Sequence, residues 1–266
     1  MKLGLALGGG GAKGFAHLGV LKVLKEAGIE FDVVAGTSIG ALIGAVYISG
    51  KLESLEEFST NIAMTDLPFM LGPTWPKGGL FSGNYIEGLV EKFINVQNIE
   101  DLSKPFAAVS VDLNKAQVIT FTKGDLKRAI RASTSIPGVF KPVVLEDKIL
   151  VDGGVLESLP IGAARSLGAD FIVAVDLLHD LSGNQNFDQG KPSIIEIVQR
   201  TSIIAQRQLT EYKFKENPPD VAIRPHLAEV QVMDFHKGAP IVEIGRVAAE
   251  QTLPELLEKL KKAKRS

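Results

Sequence analysis

Short apolar segments alternate with helix-forming segments along most of the chain, and the first two apolar segments each end in a glycine-rich turn. LGLAL (3–7) runs into GGGGAKG (8–14), and FDVVA (31–35) runs into GTSIG (36–40). Repeated alternation of strand and helix is typical of a parallel sheet with helices on both faces. We therefore predict a three-layer α/β/α fold with a mainly parallel central sheet, formed by one domain over residues 1–266.

The amino-acid composition argues against several classes of function. The chain has no cysteine, which excludes disulfides and cysteine-ligated metal sites and is typical of a reducing compartment. A formal net charge of -2 argues against a nucleic-acid partner. The apolar segment IGALIGAVYI is about half as long as a bilayer span requires. We expect a cytoplasmic protein that touches the inner membrane surface peripherally at most, and its oligomeric state is not predicted.

The turn after the second strand matches the G-x-S-x-G pattern of serine hydrolases, with Gly36, Ser38 and Gly40 at the defining positions. A sharp turn between a strand and a helix exposes the serine hydroxyl, and side chains at the two glycines would crowd it. The helix that starts at Ile39 points its N-terminus at the site. Ser38 is thus a candidate nucleophile, with a simple helix N-cap as the alternative.

The glycine run after the first strand allows two interpretations. Gly9, Gly11 and Gly14 match the dinucleotide pattern G-x-G-x-x-G, but the acidic candidate Asp32 begins the second strand instead of ending it. Alternatively, backbone N–H groups of the run form an oxyanion hole facing Ser38, because the first two strands are expected to be neighbours. We expect Lys13, in the same turn, to be solvated.

A nucleophilic serine needs a base, and the histidines are poor candidates. None has a supporting pattern, and His17 shares an apolar helix face, so we predict a half-buried structural role for it. The other three are His179, His226 and His236.

Carboxylates at predicted strand ends are better candidates for the base. Asp112, Asp152 and Asp176 all have this location, and Asp152 is followed by Gly153 and Gly154, which leave its side chain uncovered. A free aspartate, with a pKa of about 3.9, is a weak base, but burial would raise that value. Spacing alone does not select among the three.

Four ordered blocks give the chain a resemblance to a known family over essentially its whole length. They are GGGGAKG, GTSIG, RASTSIPGVFKP (131–142) and DGG (152–154), and together they resemble the patatin-like phospholipases. Many relatives have DGA in the last block, a change that keeps the aspartate.

The resemblance implies a Ser38–Asp152 dyad and an oxyanion hole from the backbone of Gly9, Gly10 and Gly11, helped by the N–H of Ile39. It also implies that ASTSIPGVF forms the pocket wall, and that phospholipids, lysophospholipids or simple esters are hydrolysed without metal or cofactor. Two alternatives remain, namely a non-catalytic acyl-chain binder of the same fold and a nucleotide-binding protein.

Two further segments could meet lipid. Residues 64–84 are rich in proline, glycine and bulky apolar residues, and form either a lid or a loop packed on the core. The last predicted helix (240–264) ends in five basic residues, which suit either its dipole or an anionic surface.

Overall fold

The computed structural model describes residues 1–68, 81–182 and 192–265, and its described strands form one sheet. The order across the sheet is β5-β6-β3-β2-β1-β7-β8, with β4 also paired to β3. The strands are β1 (Leu3–Leu7), β2 (Val33–Thr37), β3 (Phe106–Asp112), β4 (Gln117–Phe121), β5 (Val143–Leu145), β6 (Lys148–Asp152), β7 (Phe171–Val175) and β8 (Val221–Ile223).

The sheet is mainly parallel, as the alternating pattern predicts. Strands β1, β2, β3, β7 and β8 run parallel, whereas β4, β5 and β6 are antiparallel to their neighbours. Strands β4 and β6 follow short turns, where Ala116 and Glu146 adopt positive φ angles of 49° and 53°. Such turns reverse the chain within a few residues, whereas parallel neighbours need a longer crossover.

Helices cover both faces of the sheet and give the predicted three layers. Alternate strand residues such as Leu5 and Ala6 belong to two different buried clusters, one on each face. Helices α1, α2 and α8 pack on the first face, and α6 packs on the second. The helices are α1 (Ala16–Glu26), α2 (Ile39–Ile48), α3 (Leu52–Thr60), α4 (Asn84–Phe93), α5 (Leu126–Ser133), α6 (Ile161–Ser166), α7 (Ile194–Glu216) and α8 (Gly238–Ala263).

One edge of β3 is shared by two strands, and this arrangement positions the site. Strand β2 pairs with the first half of β3, whereas β6 pairs with the second half, and β4 takes the opposite edge. Thr37 lies opposite Val109, and Asp152 lies opposite the next residue, Ser110. The end of β6 therefore meets the end of β2.

Several element boundaries differ from the sequence prediction. The helix predicted over 158–167 begins at Ile161, because Pro160 disfavours helical geometry in the residue before it. The helix predicted over 53–63 spans Leu52–Thr60. Most of the predicted loop or lid at 64–84 lies outside the described residues, which resume at Phe81 before α4.

Candidate active site

Ser38 lies in a strained turn between β2 and α2. Its backbone angles, φ 56° and ψ -127°, fall outside the regions that non-glycine residues ordinarily adopt. The turn is tight because a Cβ at Gly36 would lie 2.4 Å from the Ala41 backbone, and one at Gly40 would lie 2.2 Å from the Leu7 carbonyl oxygen. The glycines of GTSIG therefore allow α2 to pack against β1 and β2 with Ser38 at its N-terminus.

Asp152 is the side chain that meets Ser38. The Ser38 hydroxyl donates a hydrogen bond of 2.5 Å to Oδ2 of Asp152, across 114 residues of sequence. Asp152 ends β6, and the Gly154 N–H donates to its other oxygen, Oδ1, at 2.8 Å. A Cβ at Gly153 would lie 2.4 Å from the Val109 carbonyl oxygen, so this glycine permits close approach to β3.

Burial makes Asp152 a stronger base than an ordinary aspartate. Its side chain is shielded from solvent, and this desolvation raises the pKa of Asp152 to about 6. The hydrogen bonds from Ser38 and Gly154 stabilise the charged form and lower the pKa, but their effect is smaller. A carboxyl group with this pKa is ionised near neutral pH and accepts a proton readily.

The RASTSIPGVFKP segment supports both members of the pair. Ser133, the last residue of α5, accepts a hydrogen bond from the Ser38 N–H at 2.8 Å and donates one to the Val109 carbonyl. The Ser135 carbonyl accepts from the Asp152 N–H at 2.9 Å. Arg131 is buried and donates to the Ser135 hydroxyl at 2.7 Å. This segment therefore holds the backbone of the site as well as contributing to its wall.

The glycine run faces Ser38, but one of its predicted oxyanion donors is engaged elsewhere. The Gly9 N–H donates to the Ser158 carbonyl at 2.9 Å, so this N–H is not free to donate to an oxyanion in this structure. Within the described ranges, the N–H groups of Gly10, Gly11 and Ile39 have no acceptor, because each lies at the start of a helical turn. A Cβ at Gly14 would lie 2.4 Å from the Ile39 side chain, so this glycine brings the run close to α2.

Two residues beside the glycine run have structural roles. His17 is completely buried, more than the half-burial expected, and desolvation lowers its pKa to about 4. Its Nε2 lies 2.8 Å from the Gly8 carbonyl oxygen and, as a donor, holds that carbonyl in place. Lys13 was expected to be solvated, but it is buried and donates to the Leu227 carbonyl at 2.8 Å. Desolvation lowers the pKa of Lys13 to about 8.

The remaining candidates lie apart from Ser38. Asp112 and Asp176 are buried, and each accepts from the N–H two residues ahead, in Asn114 and Leu178 respectively. Asp32 accepts from the Leu3 N–H, at the opposite end of β1 from the glycine run. The dinucleotide interpretation therefore lacks its acidic residue.

Within the part of the chain that the structure describes, the other three histidines form no hydrogen bond with Ser38 or Asp152. His179 and His226 stack edge to face at 5.9 Å beside Asp180, and the ligand-type atoms of the three lie within 4.8 Å of one another. His236 lies in a short turn before α8.

A cavity of about 110 Å³ opens over Ser38 and Asp152. Ile136 and Pro137, from the segment after α5, form part of its wall, in agreement with the sequence prediction. Helix α7 forms another part, which sequence reasoning missed. Its polar side chains Gln199, Ser202 and Gln206 recur every three or four residues, and this spacing was the available signal.

The sequence of this chain is similar to a known family and to several of its members. The family model for patatin-like phospholipases matches residues 5–165. An uncharacterized NTE family protein of Mycobacterium tuberculosis is 35% identical over 66% of this chain and 49% of its own length. Lysophospholipase NTE1 of Coccidioides immitis is 30% identical over 96% of this chain and 18% of its own length. Patatin-like phospholipase domain-containing protein 6 of mouse is 31% identical, over 99% of this chain and 22% of its own length.

The fold is also found in a solved structure. VipD from Legionella pneumophila superposes with a TM-score of 0.55 at 15% identity, covering 96% of this chain and 67% of that chain. This chain spans about half the length of the mycobacterial relative and about a fifth of the fungal and mouse relatives. Within the described ranges, no helix has the length and apolar character needed to cross a bilayer.

Proposed function

Because the chain belongs to the patatin-like phospholipase family, we propose that it hydrolyses acyl esters of lipids through a Ser38–Asp152 dyad and an acyl-enzyme. The observation that carries the proposal is the 2.5 Å hydrogen bond from the Ser38 hydroxyl to a buried carboxylate. Burial supplies the basicity that an exposed aspartate lacks, since the pKa of Asp152 is raised to about 6. The dyad therefore needs no histidine.

Acylation begins when Oγ of Ser38 attacks the ester carbonyl carbon and its proton passes to Oδ2 of Asp152. The carbonyl oxygen then carries negative charge, and the free N–H groups of Gly10, Gly11 and Ile39 are the candidate donors to it. The N-terminus of α2 adds a favourable dipole. Collapse of the tetrahedral intermediate breaks the bond to the leaving alcohol, which takes the proton from Asp152.

Deacylation repeats the sequence with water as the nucleophile. Asp152 accepts a proton from water as the oxygen attacks the acyl carbon, and the same N–H groups stabilise the second oxyanion. The bond to Oγ of Ser38 then breaks, and Oγ recovers the proton from Asp152. The products are a fatty acid and the starting enzyme.

Lysophospholipids are our first choice of substrate class. Two relatives carry the name lysophospholipase or patatin-like phospholipase, and both match almost all of this chain. The cavity lining supports an amphipathic substrate, because apolar side chains such as Ile136, Val155 and Leu178 lie beside the polar groups of α7. Diacyl phospholipids and short carboxylic esters are the other substrates to compare.

The test is turnover of lysophosphatidylcholine, phosphatidylcholine and p-nitrophenyl butyrate by the wild type and Ser38→Ala. We expect fatty acid release by the wild type, and a loss of at least about 10⁴-fold in the variant with unchanged folding. Ser166→Ala, which changes an exposed serine on α6, is the matched control and retains activity.

A wild type that binds lysophosphatidylcholine without releasing fatty acid would support the alternative of a non-catalytic lipid-binding protein. Turnover that survives in Ser38→Ala would exclude Ser38 as the nucleophile.

A further inference from the structure

Helix α7 carries an apolar stripe on its exposed side. We define the α7 stripe as six side chains, of which Ile194 is 80% exposed and Tyr212 is 59% exposed. The stripe follows helical spacing over about five turns, so its members lie on one side of the helix. Its members are Ile194, Ile197, Val198, Ile204, Leu209 and Tyr212.

Between residues 194 and 212, the exposed side of α7 also lacks charge, and the exposed charged residues Lys215 and Glu216 follow only in its last turn. The other exposed side chains described between residues 194 and 212 are Thr201, Ala205 and Gln208, all of which are uncharged. The charged side chains described in this span are partly buried, and they are Glu196, Arg200, Arg207 and Glu211. A helix face in water ordinarily carries charged side chains opposite its apolar face.

Helix α8 provides an internal comparison, because it has similar length and lies on the same molecule. Its exposed face carries ion pairs at helical spacing, including Lys259 with Glu255 at 2.8 Å and Lys262 with Glu258 at 2.6 Å. Isolated exposed apolar residues, such as Val247 and Leu257, lie among these charges. The absence of exposed charge on α7 between residues 194 and 212 is therefore not a general property of the long helices described in this chain.

The α7 stripe is continuous with the cavity over Ser38. Val198 belongs to both, since it is 44% exposed and also lines the cavity. The adjacent side of the helix presents Gln199, Ser202 and Gln206 to the cavity. A molecule resting on the stripe thus lies at the mouth of the site.

We propose that the α7 stripe docks on the surface of a phospholipid bilayer. A lipid of the docked bilayer then enters the cavity beside Val198, and its acyl ester reaches Ser38. A helix with one apolar side and little charge on it buries that side at the boundary between head groups and acyl chains. Tyr212, at the C-terminal end of the stripe, has the amphipathic ring that is enriched at this depth. The choice of a lipid as the occupant of the stripe rests on the proposed function.

A second copy of the chain is the competing occupant of the α7 stripe. Such a copy would cover Val198 and with it one side of the cavity mouth, whereas a bilayer presents its own esters there. The bilayer is therefore the occupant that leaves the site usable.

Flotation with phosphatidylcholine vesicles tests the proposal, using protein with Ser38→Ala so that no lipid is consumed. Ile197→Lys with Ile204→Lys places two cations on the stripe, and neither residue lines the cavity. Val247→Lys with Leu257→Lys, on the exposed side of α8, is the matched control. We expect the first pair to reduce vesicle binding about tenfold or more, and the control pair to leave it unchanged.

Turnover by the Ser38-containing protein separates docking from chemistry. The Ile197→Lys and Ile204→Lys pair is expected to preserve turnover of soluble p-nitrophenyl butyrate and to lower turnover of lysophosphatidylcholine presented in vesicles. Vesicle binding without any ester turnover in the wild type would remove the proposed function and leave docking intact.

Equal vesicle binding by both lysine pairs would overturn the proposal, as would an absence of vesicle binding by folded protein. A dimer that the Ile197→Lys and Ile204→Lys pair dissociates, measured by analytical ultracentrifugation, would assign the stripe to a second copy instead.

Discussion

At the scale of single residues, Asp152 combines a buried carboxyl group with a serine donor. In the proposed mechanism the ionised form of Asp152 accepts the Ser38 proton, so this mechanism requires Asp152 to be deprotonated in the free enzyme. With the pKa raised to about 6, kcat/KM is expected to rise about tenfold per pH unit below pH 6 and to level off above it. Turnover of p-nitrophenyl butyrate from pH 4.5 to 8 measures this profile.

The pH profile also distinguishes the proposed base from a histidine. Replacement of His179 and His226 by Gln is expected to leave the midpoint unchanged, because neither contacts the pair. A midpoint that moves in this variant, or a profile flat down to pH 4.5, would contradict the assignment of Asp152.

The same burial has a consequence for stability. The folded-state pKa of Asp152 is raised, so its favourable contribution is complete below about pH 3.8 and is lost as pH rises through about 6. The change from 3.8 to about 6 corresponds to roughly 3 kcal/mol of destabilisation at neutral pH. Asp152→Asn, which retains an acceptor for the Gly154 N–H, is expected to be more stable than wild type at pH 8.

Urea denaturation of Asp152→Asn and wild type at pH 8 and pH 4.5 measures this difference. We expect the variant to gain up to about 3 kcal/mol at pH 8 and much less at pH 4.5. A gain that is the same at both values would show that the carboxylate charge is not its source.

At the scale of elements, the close approach of α2 to β1 depends on glycine. A Cβ at Gly40 would meet the Leu7 carbonyl oxygen at 2.2 Å, and backbone atoms cannot move aside as a flexible side chain can. A Cβ added at Gly88, within α4, would meet no atom within 4 Å. Gly40→Ala is therefore expected to destabilise the protein by about 2 kcal/mol or more, whereas Gly88→Ala is expected to stabilise it by about 0.5–1 kcal/mol.

Thermal unfolding of the two alanine variants measures this contrast, and ester turnover reports the geometry of the Ser38 turn. A Gly40→Ala protein with unchanged stability and turnover would mean that α2 does not pack as closely as described.

Element prediction succeeded where the signal was local. Apolar runs closed by glycine predicted β1, β2 and α2. The pairing of Ser38 with Asp152 could not be predicted from local sequence signals. Asp112 and Asp152 end strands and Asp176 directly follows one, and the selection of Asp152 came from family resemblance alone. In the structure, the selection follows from β2 and β6 sharing one edge of β3, which depends on sheet order.

Two residue environments could not be predicted because their partners lie far away in sequence. The Gly9 N–H meets a carbonyl in the segment before α6, and Lys13 meets one that is 214 residues distant. A glycine run and a lysine in a first turn carry no local sign of such contacts. Helix α7 is likewise distant in sequence from the glycine run, and the two line the same cavity only in the folded chain.

At the scale of the whole molecule, we propose Ser38 as the nucleophile. The organisation of residues 1–266 as a single domain stays a prediction, and the described strands, from Leu3 to Ile223, form one sheet around the site. Ser38 lies beside the buried carboxyl group of Asp152, and both residues line one cavity of about 110 Å³.

The most direct test of the dyad is labelling of the intact protein with a fluorophosphonate, followed by mass measurement and peptide mapping. We predict one adduct, located on Ser38, with labelling at least about 100-fold slower in folded Asp152→Asn and unchanged in the variant with His179 and His226 replaced by Gln. An adduct on another residue, or undiminished labelling of Ser38 in Asp152→Asn, would contradict the proposed dyad.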